Sequence, residues 1–371
     1  MGAESPNIFV TLFAFILLIG TLVVVHELGH YLVGRWFGVK ADKFSIGFGP
    51  EIFARVDKRG TRWRIGALPL GGYVQFAGDM NPASQPGDGQ GDMSDEQYSH
   101  TFQSKALWKR ALIVFAGPAV NFILAVLIFM GFLLSFGQPY TPPVAGQVVE
   151  GSAAEKAGLL AGDKVIAFNG SSIETFEQLV NEVIMIPNER ATILLDRNGQ
   201  QIEKQINVAE RLDVDRFGNE YRIGQIGVGA VAPERREIGI IESPWVAIKQ
   251  TGAVLSQQMQ GIGQIITGRR SVKELGGPLK IAKISGEVWT LGILSFISLA
   301  ALISINLGFI NLLPIPMLDG GHLFLYAIEA VRKRPASPMV QEWAFRAGFV
   351  MVIGFMLMVT FNDLDSFGLF G

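Results

Sequence analysis

The sequence predicts a polytopic α-helical membrane protein with four transmembrane helices, a β-rich loop after the first, and one compact α+β domain before the last pair. Three observations lead there. Of the 371 residues, 49% are hydrophobic and only 17% charged, with a mean hydropathy of +0.34, too apolar for an ordinary soluble chain. Four apolar stretches are long enough to cross a bilayer. Between the second and third, the alternation and turn residues of a soluble domain return. A net charge of −2 and a pI near 6.1 argue against nucleic acid as a partner. With no cysteine, disulfides and thiolate metal sites are excluded.

The first span runs from about Ile8 to Phe37. Met1–Asn7 carries no Lys or Arg and no small-residue cleavage site follows, so this segment is expected to be a retained helix. The other spans run from about Leu107 to Phe136, Leu291 to Leu313 and Trp343 to Phe361. Arg35, Lys40 and Lys43 follow the first span, Lys105, Lys109 and Arg110 precede the second, and Arg332, Lys333 and Arg334 separate the last two. The positive-inside rule then places both of these loops in the cytoplasm, and both termini and the inserted domain outside.

The first loop alternates from Phe44 to Phe76. Phe53–Ile65 reads as a hairpin turning at Lys58-Arg-Gly60, and Leu68–Phe76 as a further extended piece with a Gly-Gly bend. Such a sheet suits either a small cytoplasmic cap or a surface dipping against the membrane. Residues 79–100, including a solvated His100, read as a flexible loop. The domains expected are residues 1–137 (two spans and the β-loop), 138–235 (the inserted domain), 236–290 (amphipathic linker helices at the membrane surface) and 291–371 (two spans). In the inserted domain, strands are expected at Val144–Val149, Ala191–Asp196, Gln201–Val208 and Ile223–Val228. A short helix and a strand fall in Ala153–Gly170, and a longer helix covers Thr175–Ile186. The pattern resembles a PDZ domain, whose groove takes a peptide as an added strand. Trp245 to about Thr267 reads as an amphipathic helix with Ile248, Leu255 and Met259 on its apolar face.

Chemistry concentrates in the first span, at His26-Glu-Leu-Gly-His30. Four-residue spacing puts His26 and His30 on one helix face, where they can share a metal ion, with Glu27 beside them to take a proton from water. Ionisable groups near a bilayer centre cost about 2.5–3.5 kcal/mol each, so three at ligand spacing point to function. The competing reading is a core helix with satisfied polar groups. A third ligand is still needed. A metzincin-type His is excluded, because Val33 and Trp36 occupy its Gly and His positions; Glu51 lies beyond the helix. Asp319, in Asn311-Leu-Leu-Pro-Ile-Pro-Met-Leu-Asp-Gly-Gly-His322, falls on the same leaflet after a Pro-broken helix. It reads as a ligand or as the cap of the following helix, with His322 as a weaker competitor. Gly117-Pro-Ala-Val-Asn121 opens the second span; Asn121 reads as an interhelical hydrogen bonder with a smaller prospect of positioning substrate.

Taken together, His-Glu-Leu-Gly-His, Gly-Pro-Ala-Val-Asn, the single PDZ-like domain and Asn-Leu-Leu-Pro-Ile-Pro-Met-Leu-Asp-Gly resemble the site-2 protease family of intramembrane zinc metalloproteases, nearest its bacterial sigma-E-regulating branch. The resemblance implies Zn²⁺ held by His26, His30 and Asp319, with Glu27 as general base. It also implies a membrane-associated β-element over residues 53–76 that pairs with substrate, and Asn311 and Pro314 holding the unwound substrate. Expected partners are single-span membrane proteins, such as anti-sigma factors or signal-peptide remnants, and membrane lipid. The expected location is the bacterial inner (plasma) membrane, with the PDZ-like domain on the periplasmic side and the site towards the cytoplasm. The best-known members of that branch carry two tandem PDZ domains, whereas this chain has room for one. The reading from another class is a catalytically silent PDZ adaptor.

Overall fold

The computed structural model describes residues 6–78, 94–214, 220–267, 276–335 and 337–366. The chain divides into two compact units, residues 1–130 with 244–371, and residues 131–243.

The first unit begins with α1 (Ile8–Trp36), started by Asn7, whose Oδ1 accepts the Phe9 amide at 3.0 Å. Two long antiparallel strands follow, β1 (Ala41–Val56) and β2 (Arg62–Phe76). Asp57 shapes the turn between them, its Oδ1 accepting the amides of Arg59 and Thr61 at 2.8 and 3.0 Å. The expected separate piece at Leu68–Phe76 is the second half of β2, and the sheet begins at Ala41 rather than near Phe44 or Phe53. Each strand folds back on itself, so that Lys43–Ile46 pairs with 62–65 on one side and 72–75 on the other. Gly47 and Gly49 permit the bend at φ near +86° and +82°. Phe44, Val74 and Phe76 pack with Tyr31, Phe102 and Ile113 beneath the sheet. At its far end Phe48, Ile52, Phe53 and Leu68 are exposed.

Of the expected flexible loop, residues 79–93 lie outside the described residues, while the rest holds a short helix, α2 (Asp95–Ser99), with a Ser94–Gln97 capping box. Next comes α3 (Leu107–Phe136), which carries Pro118 internally. Its close approach to α1 depends on Gly29, where a Cβ would overlap the Ala116 carbonyl.

In the second unit, β3 (Gln138–Tyr140), β4 (Ala145–Val148), α4 (Ala153–Lys156), β5 (Lys164–Phe168), β6 (Ser171–Ser172), α5 (Phe176–Ile184), β7 (Arg190–Arg197), β8 (Gln200–Asn207), β9 (Ala209–Val214), β10 (Glu220–Gln225), β11 (Val228–Ala230) and β12 (Glu234–Arg236) follow in order. The main sheet runs β6-β5-β7-β8 over a core of Phe168, Ile193, Leu195 and Ile206. Asn198 and Gly199 turn β7 into β8 with both φ values positive, the twist-matched hairpin turn. The strand expected at Ile223–Val228 is two pieces, because Gly227 takes φ near +80° between β10 and β11. The pairings β3–β12 and β9–β10 were not anticipated.

The first unit resumes with α6 (Ser243–Ile266), α7 (Pro278–Thr290), α8 (Ile293–Leu312), α9 (Asp319–Arg332) and α10 (Pro338–Ser366). Val254 and Leu255 of α6 pack against Ala125, Ala301 and Ile305 of α3 and α8, while Ile248 and Met259 stay exposed. The apolar face expected of α6 is therefore divided between a protein contact and an open side. The backbone of α7 is capped from α10: the Asp363 carboxylate accepts the amides of Gly277 and Lys280 at 2.9 and 3.0 Å. Helix α10 itself continues to Ser366, past Phe361 where the apolar run ends. Among the described residues, four helices, α1, α3, α8 and most of α10, are long and apolar enough to cross a membrane.

Candidate metal centre

His26 and His30 lie one turn apart on α1 with their Nε2 atoms 3.2 Å from each other. Between α8 and α9 the chain breaks at Pro314 and Pro316, and Met317 takes a left-handed φ of 82°, a costly state for a side chain with a Cβ. Leu318 then takes the N-cap position of α9 without a side-chain cap bond, and Asp319 is the first residue of the helix. Asp319 Oδ2 points at the imidazoles, 3.1 Å from His26 Nε2 and 3.5 Å from His30 Nε2. Glycines make this possible. A Cβ at Gly320 would overlap the carbonyls of Leu312 and Leu313, and one at Gly321 the carbonyl of Ile315.

These three atoms pass a test for zinc. Four tetrahedral ligands about 2.0–2.1 Å from zinc lie roughly 3.3–3.4 Å from one another, and the separations here are 3.2, 3.1 and 3.5 Å. Asp319 Oδ2 is buried without a hydrogen-bond partner, a costly state for a carboxylate unless a cation sits nearby.

The centre opens into a cavity of about 430 Å³ lined by Glu27, Asn311, His322, Tyr73 and the three ligand-type residues. Gly72 and Val74 of β2 line the same cavity as Glu27, and a Cβ at Gly72 would touch the Glu27 side chain at 3.4 Å, so this edge of the sheet runs beside it. His322, packed on Tyr326 and Phe345, is pushed down by burial and stays neutral. Of the residues singled out in the sequence, His26, Glu27, His30, Asn311 and Asp319 share this cavity. Pro314 is exposed in the α8–α9 loop and does not line it.

Asn121 on α3 is the interhelical hydrogen bonder expected of it, while the roles of Gly117 and the Ile113 carbonyl were not anticipated. A Cβ at Gly117 would overlap the His30 ring and crowd His26, so only glycine leaves room for the pair. Asn121 Nδ2 lies 3.1 Å from His26 Nδ1, and His30 Nδ1 lies 2.9 Å from the Ile113 carbonyl. The signal was present: Ile113, Gly117 and Asn121 recur every four residues and share one helix face.

Comparison with known proteins agrees with this geometry. The model of peptidase family M50 matches residues 14–355. An Agrobacterium fabrum protein named as a candidate zinc metalloprotease is 44% identical over 357 residues, with 95% of each chain covered. Metalloprotease MmpA of Caulobacter vibrioides is 34% identical, with 97% of each chain covered. Among solved structures, the PDZ domain of an SdrC-like protein from Listeria monocytogenes matches 26% of this chain and 90% of its own length, at 15% identity and a TM-score of 0.19.

Proposed function

The chain belongs to peptidase family M50, and from that premise we infer that it is a zinc endopeptidase that cuts single-span membrane proteins, or signal-peptide remnants, within the bilayer. The observation that carries this reading is one carboxylate, Glu27, sharing a cavity with three converging ligand atoms, two of them on a helix long and apolar enough to span. A silent adaptor has no use for a base at that position.

Zinc bound by His26, His30 and Asp319 would supply a Lewis acid for the scissile carbonyl and bring the pKa of water towards neutrality. Glu27 takes the proton of the attacking water and returns it to the leaving amine. A peptide bond inside a helix is shielded by its own hydrogen bonds, so the substrate must unwind first. The 72–76 edge beside Glu27 offers main-chain groups to which an extended segment adds as a strand. Asn311 donates its amide to the unwound segment from within the cavity, and Pro314 meets it from the exposed loop. The lysines and arginines flanking α1, α3 and α9 support a site facing the cytoplasm of a bacterial plasma membrane. On that topology the 138–235 domain is periplasmic and PDZ-like, and it filters substrates by the bulk of their outer portion; an anti-sigma factor already trimmed by another protease is one such substrate.

The test is cleavage of a reconstituted single-span substrate in lipid vesicles, with the cut located by mass spectrometry. Wild type should cut within the apolar segment. Glu27→Gln should lose about 10²–10⁴-fold in rate, the usual contribution of acid–base catalysis, while keeping its zinc. Undiminished turnover in that variant would remove Glu27 from the mechanism.

A further inference from the structure

The outer nitrogens of both imidazoles face one stripe of α3. His30 Nδ1 meets the Ile113 carbonyl at 2.9 Å. A carbonyl only accepts, so His30 Nδ1 carries the hydrogen and Nε2 keeps its lone pair for a metal. Two turns along the stripe, Asn121 is fully buried with its amide 3.1 Å from His26 Nδ1. Its main-chain carbonyl accepts the hydroxyl of Ser304, also buried, at 2.8 Å, which pins this turn of α3 against α8.

The two ends of an asparagine amide exchange by a half-turn about Cβ–Cγ. With Nδ2 towards the ring, His26 Nδ1 is the acceptor, and its hydrogen sits on Nε2, between His30 Nε2 and Asp319 Oδ2. Asn121 Oδ1 is then buried with no partner. With Oδ1 towards the ring, Nδ2 takes the partnerless position instead, so amide satisfaction is even between the two; what differs is that His26 then carries its hydrogen on Nδ1 and three lone pairs converge where a cation fits. The hydrogen bond between the amide and the ring is kept either way; the first orientation turns Nε2–H towards Asp319 Oδ2, and only the second leaves the Nε2 lone pair of His26 for a metal.

We propose that Asn121 is a positioning residue for the metal centre: its side-chain oxygen accepts the Nδ1–H of His26 and holds the ring in the tautomer that offers Nε2 to zinc. The inference rests on the metal reading above. Losing such an outer contact typically weakens metal binding 10–100-fold.

The experiment measures zinc affinity of the purified full chain by chelator competition, the absorption spectrum of its cobalt form, and the thermal midpoint of the metal-free protein. Asn121→Leu removes the acceptor at similar volume; Asn121→Asp keeps an acceptor and removes every donor. Zinc affinity should fall about 10–100-fold in the Leu variant, with an altered cobalt spectrum, and stay at or above the wild-type value in Asp. Equal loss in both variants would mean that Asn121 donates rather than accepts, and would overturn the proposal. So would full affinity in Asn121→Leu. If the Leu variant does not fold, the Asp variant alone decides. A wild type that binds no zinc would overturn the metal reading instead, a result distinguishable from either.

Discussion

His26 Nε2 and Asp319 Oδ2 lie 3.1 Å apart, although one belongs to the first spanning helix and the other opens the helix after the third. The three candidate ligand atoms therefore converge only where these two separate stretches of the first unit pack together.

Replacing either partner should separate binding from catalysis. Asp319→Ala and His26→Ala are expected to lose zinc by more than the roughly 100-fold upper limit of outer-contact losses, and to lose cleavage with it. Glu27→Gln should lose cleavage alone. Metal analysis of the three purified variants checks this, and stoichiometric zinc in Asp319→Ala would exclude it as a ligand.

Gly117→Ala is a sharper probe, because alanine favours a helix over glycine by about 0.8–1 kcal/mol. The added Cβ has no room beside the imidazoles. The expected outcome is a metal-free protein at least as helical as wild type by circular dichroism, with zinc affinity sharply reduced. Wild-type zinc affinity would show that the rings can move aside at little cost.

Metal removal should act on stability too. A ligand that binds only the folded state stabilises it by RT ln(1 + [L]/Kd), about 2.7 kcal/mol at a hundredfold excess over Kd. Extraction with a chelator should lower the melting midpoint of the first unit, and restored zinc should return both midpoint and cleavage. A midpoint indifferent to zinc would argue that these residues hold no structural cation.

The second unit offers a pH test. Asp163 is buried and accepts two hydrogen bonds from Arg197 at 2.7 and 2.8 Å and one from the Leu160 amide at 2.8 Å. The Arg197 contact holds the Asp163 carboxyl below its ordinary value. A depressed folded pKa means the unfolded chain takes up the proton first as pH falls. The stabilisation is thus whole above about pH 5 and drains as pH drops through the unfolded and then the folded pKa. Arg197→Ala should cost about 2 kcal/mol, below the 3–5 typical of fully buried pairs because Arg197 is 29% exposed. It should also flatten the acid limb of this unit's unfolding, followed by hydrogen exchange in β5 and β7. An unchanged acid limb would show that other carboxylates set it.

What the sequence determined by itself is whatever depends on short range. Helix periodicity puts His26 and His30 on one face; the length and hydropathy of four runs mark four spans; Asn198-Gly199 specifies its turn. The joint order of motifs also identified the family, because such a combination does not arise from composition. Tertiary structure decided the rest. Asp319 could as well have capped α9, and only the glycine-lined return of the chain under α8 turns its carboxylate to the imidazoles. The folding-back of β1 and β2 arises from pairing between bent halves of the same two strands, which alternation cannot reveal. Gly117 carried no reading of its own and Asn121 read only as an interhelical hydrogen bonder, because their meaning lies in what α1 places opposite them.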